Sequence, residues 1–173
     1  MSAFAGIETI ATERLLLEPL AVTDVNAMAD VLADERLHEF IGGRPATREE
    51  LRVRYEQLVA GSPDPGEIWF NWVVRRREDA RAVGTVQATL IHASDRWTAE
   101  VAWVIGVRWQ NQGFASEAAR ALVDWLERRG AHEIVAHIHP AHRASEAVAT
   151  RIGLLPTESE VDGERVWRAV ERR

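Results

Sequence analysis

The chain has 173 residues, of which 46% are hydrophobic and 28% are charged, and its formal net charge is −6 at pH 7. This length predicts a single domain over residues 1–173, with a core from about residue 12 to about residue 171. The absence of Cys excludes disulfides, thiolate nucleophiles and cysteine-bound zinc, and the absence of Lys excludes Schiff-base chemistry and a Walker-type phosphate lysine. The negative net charge argues against a nucleic-acid partner. Because no apolar run reaches bilayer length and the sequence does not open with a basic leader, we expect a cytoplasmic protein with no membrane partner.

The first half of the sequence predicts a strand, two or three helices and then a hairpin. The strand covers about residues 12–20, a helix covers about 23–33, and a second helical piece covers 35–41 and ends at Gly42. Thr47-Arg48-Glu49-Glu50 is a capping box that opens a helix to about Ala60. The apolar period then changes, and residues 68–75 and 82–92 are typical of the two strands of a hairpin.

The second half centres on residues 101–126, VAWVIGVRWQNQGFASEAARALVDWL. Residues 101–107 are apolar throughout, as expected for a strand covered on both faces. The apolar positions after Ala115 follow the spacing of one helix face, which predicts a helix over about residues 113–129 with Gly130 as its C-cap. A strand over 132–139, a helix over 143–151 and a hairpin of 154–158 with 165–171 follow.

This order of elements predicts the fold class. The order is a strand, two or three helices, three strands, a helix, a strand, a helix and two strands, and it favours an α/β fold of the α+β type. We expect a mixed, mostly antiparallel central sheet with helices on both faces. The one parallel connection is a crossover through the main helix.

Residues 110–115 form a short polar loop between the central strand and the main helix. A strand that enters a helix through such a loop aims unpaired backbone N–H groups and the positive end of the helix dipole at one point. The dipole alone is worth about 0.3–1 kcal/mol, whereas two or three charge-assisted N–H contacts contribute roughly 1.5–3 kcal/mol each. The pattern indicates an anion site that needs no charged side chain, although an ordinary strand–turn–helix corner has the same pattern.

Several blocks of the sequence, in the same order, resemble the GNAT superfamily of N-acetyltransferases and its RimJ/RimL-type branch in particular. Gln110-x-x-Gly113-x-Ala115 is similar to the signature of the loop that holds the pyrophosphate of acetyl-CoA. Residues 100–105 resemble the strand before that loop, and residues 12–17 resemble the opening strand of the branch. Residues 137–154 resemble the later strand–Pro-x-Asn-x-x-Ser–helix segment, with His142 where the family usually has Asn.

The resemblance implies the fold, the co-substrate and its contacts. The two central strands would splay apart, and acetyl-CoA would bind without a metal. The backbone groups of Ile105 and Val107 would pair with the amides of the pantetheine arm. The other coenzyme-binding residues that it implies are Gln110, Gln112, Gly113, Phe114, Ala115, Ser116 and His142.

Acyl transfer to an amine requires a base for the amine, stabilisation of the thioester oxygen and a proton for the leaving thiolate. Glu100 is the first candidate for the base, because it precedes an apolar strand, where a carboxylate partly removed from water is a stronger base. Its position also resembles that of an acidic residue in RimJ/RimL-type enzymes. His139 and His142 are competing bases, since histidine titrates near neutrality. Ser145 matches the Ser of the family pattern and would orient the thiolate or a water.

Structural alternatives stay open at these positions. Glu100 could be a solvated carboxylate at a strand end, and Ser145 could be a first-turn residue of a helix. Tyr55, the only Tyr, could supply the acid only if its helix covers the thioester. His137, His139 and His142 could form a zinc cluster, but no carboxylate or Cys completes it in the sequence.

The sequence therefore predicts direct transfer of an acetyl group from acetyl-CoA to a primary amine, on a protein N-terminus or a small molecule, by a monomer or a homodimer. The alternative function is a non-catalytic acyl-CoA-binding or sensor module. We expect the acceptor to contact residues 40–45 and the loop at residues 94–98.

Overall fold

The computed structural model describes Phe4 and residues 6–169. The strands are β1 (Ile10–Ala11), β2 (Leu15–Pro19), β3 (Glu67–Arg76), β4 (Ala82–Ala93), β5 (Arg96–Ile105), β6 (Glu133–Ile138), β7 (Leu154–Val161) and β8 (Glu164–Ala169). The α-helices are α1 (Val25–Val31), α2 (His38–Ile41), α3 (Arg48–Ala60), α4 (Phe114–Arg128) and α5 (Arg143–Arg151). Short 3₁₀ turns at Val22–Asp24, Glu35–Leu37 and Val107–Trp109 precede α1, α2 and the loop before α4.

The eight strands form one sheet in the order β1-β2-β3-β4-β5-β6-β8-β7. Every neighbouring pair is antiparallel except β5 and β6, which are parallel and are joined through α4. This arrangement confirms the predicted mixed and mostly antiparallel sheet with a single parallel crossover.

The parallel pair β5–β6 separates soon after it forms. Pairing covers only residues 98–100 of β5 and 133–135 of β6. Beyond Glu100, β5 stays paired with β4 as far as Ile105, while β6 stays paired with β8 as far as Ile138. The two halves of the sheet therefore diverge and leave a wedge-shaped gap at its centre.

Helices cover both faces of the sheet, and each face has its own apolar core. Helices α4 and α5 cover the larger core, because the apolar stripe predicted for α4 faces the sheet. Its fully buried side chains include Leu15, Leu17, Trp72, Leu90, Leu122, Leu126, Ile134 and Leu154. Helices α1 and α3 cover a smaller core of Val25, Met28, Leu51, Tyr55, Val73 and Ala82.

The central strand differs from its prediction in two ways. It ends at Ile105 rather than at residue 107, because Gly106 packs against α1 and Val107 enters a 3₁₀ turn. A Cβ at Gly106 would lie 2.9 Å from Cγ1 of Val31, so only glycine fits this close approach. The strand is also covered on one face only, since Ala102 is exposed.

The remaining elements agree with the sequence apart from their ends. The capping box is confirmed, since Oγ1 of Thr47 accepts from the N–H of Glu50 and the Glu50 carboxylate accepts from the N–H of Thr47. The opening strand, predicted over residues 12–20, is observed as β2 (Leu15–Pro19), and the two-residue strand β1 (Ile10–Ala11) precedes the predicted range. The predicted end of the last strand, residues 170–171, lies outside the described residues. No helix within residues 6–169 combines the length and apolar composition needed to cross a bilayer.

Candidate functional site

A cavity of about 900 Å³ occupies the gap between β5 and β6. The first turn of α4 and the loop before it form one end, and the first turns of α5 form a side wall. Phe40 and Ile41 of α2 line the opposite rim. Residues 94–98, which we expected to contact an acceptor, form the β4–β5 turn and the start of β5, and they do not line the cavity.

The loop before α4 presents backbone N–H groups to the cavity. Asn111 and Gly113 have φ of +60° and +82°, so the chain turns sharply into the helix, and the tolerance of Asn for positive φ is used. The first N–H with an intrahelical acceptor is that of Glu117, which donates to the Gly113 carbonyl at 3.0 Å. Within residues 6–169 the amides of Phe114, Ala115 and Ser116 have no acceptor, as the start of a helix dictates.

The two glutamines of the loop have different surroundings. Gln110 lines the cavity, and its Nε2 donates to the Ile105 carbonyl at 3.0 Å, which ties the loop to the end of β5. The Gln112 side chain points to the Arg108 carbonyl and does not line the cavity. Phe114 is buried in the larger core, so its amide, rather than its ring, is the group available to a ligand.

The edge of β5 that faces the gap carries unpaired backbone groups. The Trp97 carbonyl accepts from the N–H of His132 at the start of β6, and backbone groups alternate along a strand. Because the last β5–β6 pair, Glu100 with Val135, uses the Val101 N–H, the groups that face the gap are the Val101 C=O and the N–H and C=O groups of Trp103 and Ile105. The Ile105 carbonyl already accepts from Gln110, and the Val107 carbonyl accepts from the Gln110 N–H at 3.3 Å.

Glu100 lies where the two strands begin to separate. It is opposite Thr89 in the β4–β5 pair, and Gln87 is opposite Ala102, so these polar side chains share one face of the sheet. The Glu100 side chain is half-buried, lines the cavity and has no hydrogen-bond or ion-pair partner within residues 6–169. A carboxylate with unused acceptor capacity at this position is available to an incoming donor.

The start of α5 brings His142 and Ser145 to the side wall. His142 is the N-cap residue, and its ring stacks on the ring of Phe40 with centroids 4.4 Å apart. Burial and the neighbouring His139 lower the pKa of His142 below its ordinary value of 6.5, against the opposing effect of Glu39 and Glu146. His142 therefore favours the neutral form. The hydroxyl of Ser145 has no partner among the described residues.

The other histidines have separate roles. Nδ1 of His139 accepts from the Ala141 N–H at 3.1 Å, so its neutral ring carries the proton on Nε2. His137 lies two residues beyond Val135, which pairs with Glu100, and so lies on the Glu100 face of the sheet. Among the residues that the structure describes, no group of three His, Asp or Glu side chains has the geometry to hold a metal ion.

Tyr55 does not reach the cavity. Its side chain is buried in the smaller core between α1, α3 and the sheet, and burial raises its pKa to about 12. Its hydroxyl has no hydrogen-bond partner among the described residues. Tyr55 could act as the general acid only if its helix covered the thioester, and the helix does not do so.

Sequence reasoning missed contacts that join distant segments. Arg14 donates from Nη1 to the Gln112 carbonyl at 2.9 Å, and Arg151 approaches Ser116 from the end of α5. Phe40 was expected only as part of an acceptor segment, not as the stacking partner of His142. No local pattern marks such contacts, although the lack of lysine directs attention to the arginines.

Comparison with known proteins identifies the family. The model of the acetyltransferase (GNAT) domain matches residues 14–155. The chain therefore belongs to the GNAT acetyltransferase family and is an acetyl-CoA-dependent N-acetyltransferase. This confirms the resemblance drawn from the loop and the flanking strands.

Individual relatives agree with this assignment. The chain is 25% identical over 146 residues to the uncharacterized N-acetyltransferase YnaD of Bacillus subtilis (strain 168). The matched region covers 84% of this chain and 81% of YnaD. An acetyltransferase structure from Agrobacterium tumefaciens matches with a TM-score of 0.73 and 29% identity, covering 96% of both chains. RimL, a ribosomal alpha-N-protein acetyltransferase in complex with coenzyme A, shares the fold with a TM-score of 0.77 at 17% identity, covering 95% of this chain and 98% of that chain.

Proposed function

We propose that the protein transfers an acetyl group from acetyl-CoA directly to a primary amine, as a RimJ/RimL-like member of the family. One observation carries the proposal: a single cavity connects the free amides at the start of α4, through the gap between β5 and β6, to the half-buried carboxylate of Glu100. The cavity thus joins an anion-binding end to a basic group.

The residues present fit the parts of the co-substrate. The amides of Phe114, Ala115 and Ser116 suit the diphosphate, since an anion accepts from several N–H groups at a helix start. The Val101 carbonyl and the backbone groups of Trp103 and Ile105 suit the amides of an extended arm, which would add to β5 as a further strand. Because the Ile105 carbonyl already accepts from Gln110, its N–H is the free group at that position.

In the proposed reaction the Glu100 carboxylate accepts a proton from the ammonium form of the acceptor, directly or through water. The neutral amine attacks the thioester carbon, a carbon–nitrogen bond forms, and the carbon–sulfur bond breaks. The amine proton that is lost protonates the leaving thiolate. Ser145 donates a hydrogen bond towards the sulfur, which is the role its position on the side wall supports. The chain has no Cys to carry an acyl group, which favours direct transfer.

The test follows thiol release from acetyl-CoA with a panel of acceptors: peptides with Ser or Ala at the N-terminus, and small amines such as polyamines and aminoglycosides. RimL is a protein N-terminal acetyltransferase by its name, so the peptides are the first acceptors to test. We expect acceptor-dependent thiol release and a matching acetylated product by mass spectrometry. Coenzyme binding with no thiol release above hydrolysis would overturn this proposal and favour the sensor module.

A further inference from the structure

Three arginines line the cavity, and their charges are not equally available. Arg36 donates from Nε and Nη2 to the carboxylate of Asp34 at 2.9 and 2.7 Å. Arg143 forms an ion pair with Glu146 at 2.7 Å. Arg151 has no carboxylate partner within residues 6–169, and its Nη1 lies 3.5 Å from Oγ of Ser116. Of the three, Arg151 is the cation whose charge is not already neutralised.

The position of Arg151 is set by a contact between α4 and α5. Arg120 of α4 donates from Nη1 to the Ile152 carbonyl at 3.1 Å and from Nη2 to the Arg151 carbonyl. These bonds hold the carbonyl end of α5 against α4, one turn beyond Ser116. The Arg151 side chain therefore starts from a fixed backbone and extends along the first turn of α4.

We propose that Arg151 binds the diphosphate of coenzyme A together with the amides of that turn, an inference that rests on the acetyl-CoA chemistry above. A guanidinium presents a planar fork of donors that matches phosphate oxygens, and the chain has no lysine to take this role. The amides of Ala115 and Ser116 approach the anion along the helix axis, and Arg151 approaches it from the side. The amides and the guanidinium can therefore bind the same anion together, because they donate to it from different directions.

The test compares Arg151→Gln with Arg143→Gln, which removes a positive charge from the same helix and the same cavity but one already paired with Glu146. Binding of coenzyme A and of dephospho-coenzyme A is measured by calorimetry, without turnover. We expect Arg151→Gln to weaken both ligands to the same extent, by about 10- to 100-fold, since each charge-assisted bond is strong. Arg143→Gln should change either affinity by less than about threefold, as is usual for an exposed ion pair.

A second arm uses acetylpantetheine, which lacks the diphosphate, as the acetyl donor. Arg151→Gln should leave kcat/KM for this donor at the wild-type value while lowering kcat/KM for acetyl-CoA. Weakening of coenzyme A alone would assign Arg151 to the 3′-phosphate and overturn the diphosphate assignment. Equal affinities in wild type and variant would overturn any phosphate role. Because binding is measured without turnover, a wild-type protein that binds coenzyme A but releases no thiol would refute the proposed function separately.

Discussion

Nε of Arg14 donates to the Glu117 carboxylate at 2.7 Å, which joins the β1–β2 turn to the first turn of α4. The same carboxylate accepts from the Arg14 N–H at 2.9 Å and from the Thr12 hydroxyl at 2.6 Å. Burial acts to raise the pKa of Glu117, but the bonds from Thr12 and Arg14 outweigh it and lower the pKa below 4.5. Arg14 also holds the Gln112 carbonyl, so one side chain fixes both the loop and the helix start.

Arg14→Ala is expected to raise the KM for acetyl-CoA by about 3- to 10-fold with little change in kcat, because the loop amides lose one tether of ordinary hydrogen-bond strength. Arg129→Ala is the matched control. Arg14 pairs with Glu117 and lies over the Phe114 ring, and Arg129 likewise pairs with Glu8 at 2.6 Å and lies over the Trp125 ring, but at the other end of α4. Steady-state kinetics with varied acetyl-CoA distinguish the two variants. Equal KM values for both would show that Arg14 has only a structural role.

Glu100→Gln should lower kcat by about 10²- to 10⁴-fold if this carboxylate is the general base, while the affinity for coenzyme A stays at the wild-type value. Glu133→Gln is the control, since Glu133 lies on the neighbouring strand and is paired with Arg168 outside the cavity. The rate is measured by thiol release at saturating acetyl-CoA. A Glu100→Gln enzyme that turns over at the wild-type rate would remove Glu100 from the mechanism.

Gly113→Ala tests the loop, because Gly113 has φ of +82° and an added Cβ would lie 3.3 Å from Nη2 of Arg14. Gly163→Ala is the control for backbone strain alone: Gly163 has φ of +81° in the β7–β8 turn with no atom within 4 Å of an added Cβ. Both changes should lower the free energy of unfolding by about 1–2 kcal/mol. We expect only Gly113→Ala to weaken coenzyme A binding, measured by calorimetry on folded protein. Unchanged affinity would contradict the assignment of the loop.

Tyr55→Phe should leave kcat unchanged, because Tyr55 lies in the smaller core and not at the cavity. The free energy of unfolding should stay level or rise by up to about 1 kcal/mol, since the change removes a buried hydroxyl without a partner. Urea unfolding and thiol release are the two measurements. If the turnover rate instead fell by roughly 100-fold, as expected for loss of a general acid, Tyr55 would be restored as the proton donor.

His142→Asn should reduce the dependence of stability on pH. The pKa of His142 is lower in the folded protein than its ordinary 6.5, so the unfolded chain takes up this proton first. Stability is therefore lost as the pH falls below about 6.5, until the folded-state pKa is also passed. The other charged or titratable groups that act on His142 are His139, Glu39 and Glu146, and all three are present in both proteins.

Urea unfolding between about pH 8 and about pH 5 measures this difference. The wild type should lose more stability on acidification than His142→Asn, even though the variant also loses the Phe40 stack and is less stable at every pH. Parallel curves for the two proteins would show that His142 is not titrating in this range.

The sequence alone was sufficient for the local structure and for the family. The capping box at Thr47, the apolar stripe of α4 and the loop around Gly113 each depend on residues close together in the chain, so their patterns predict the elements and the class of enzyme. Composition also limits the groups that can bind phosphate to backbone amides and arginine, because the chain has no lysine.

Only the tertiary structure decided which distant residues share the site. Arg14 and Glu117, Phe40 and His142, and Arg151 and Ser116 come from segments far apart in sequence, and no local pattern encodes their proximity. The same holds for the open face of β5, because an apolar sequence is compatible with a strand covered on both faces. Exposure of Ala102 depends on which helices pack over that face, whereas the free edge of β5 depends on β6 diverging after Glu100, and both are properties of the whole fold.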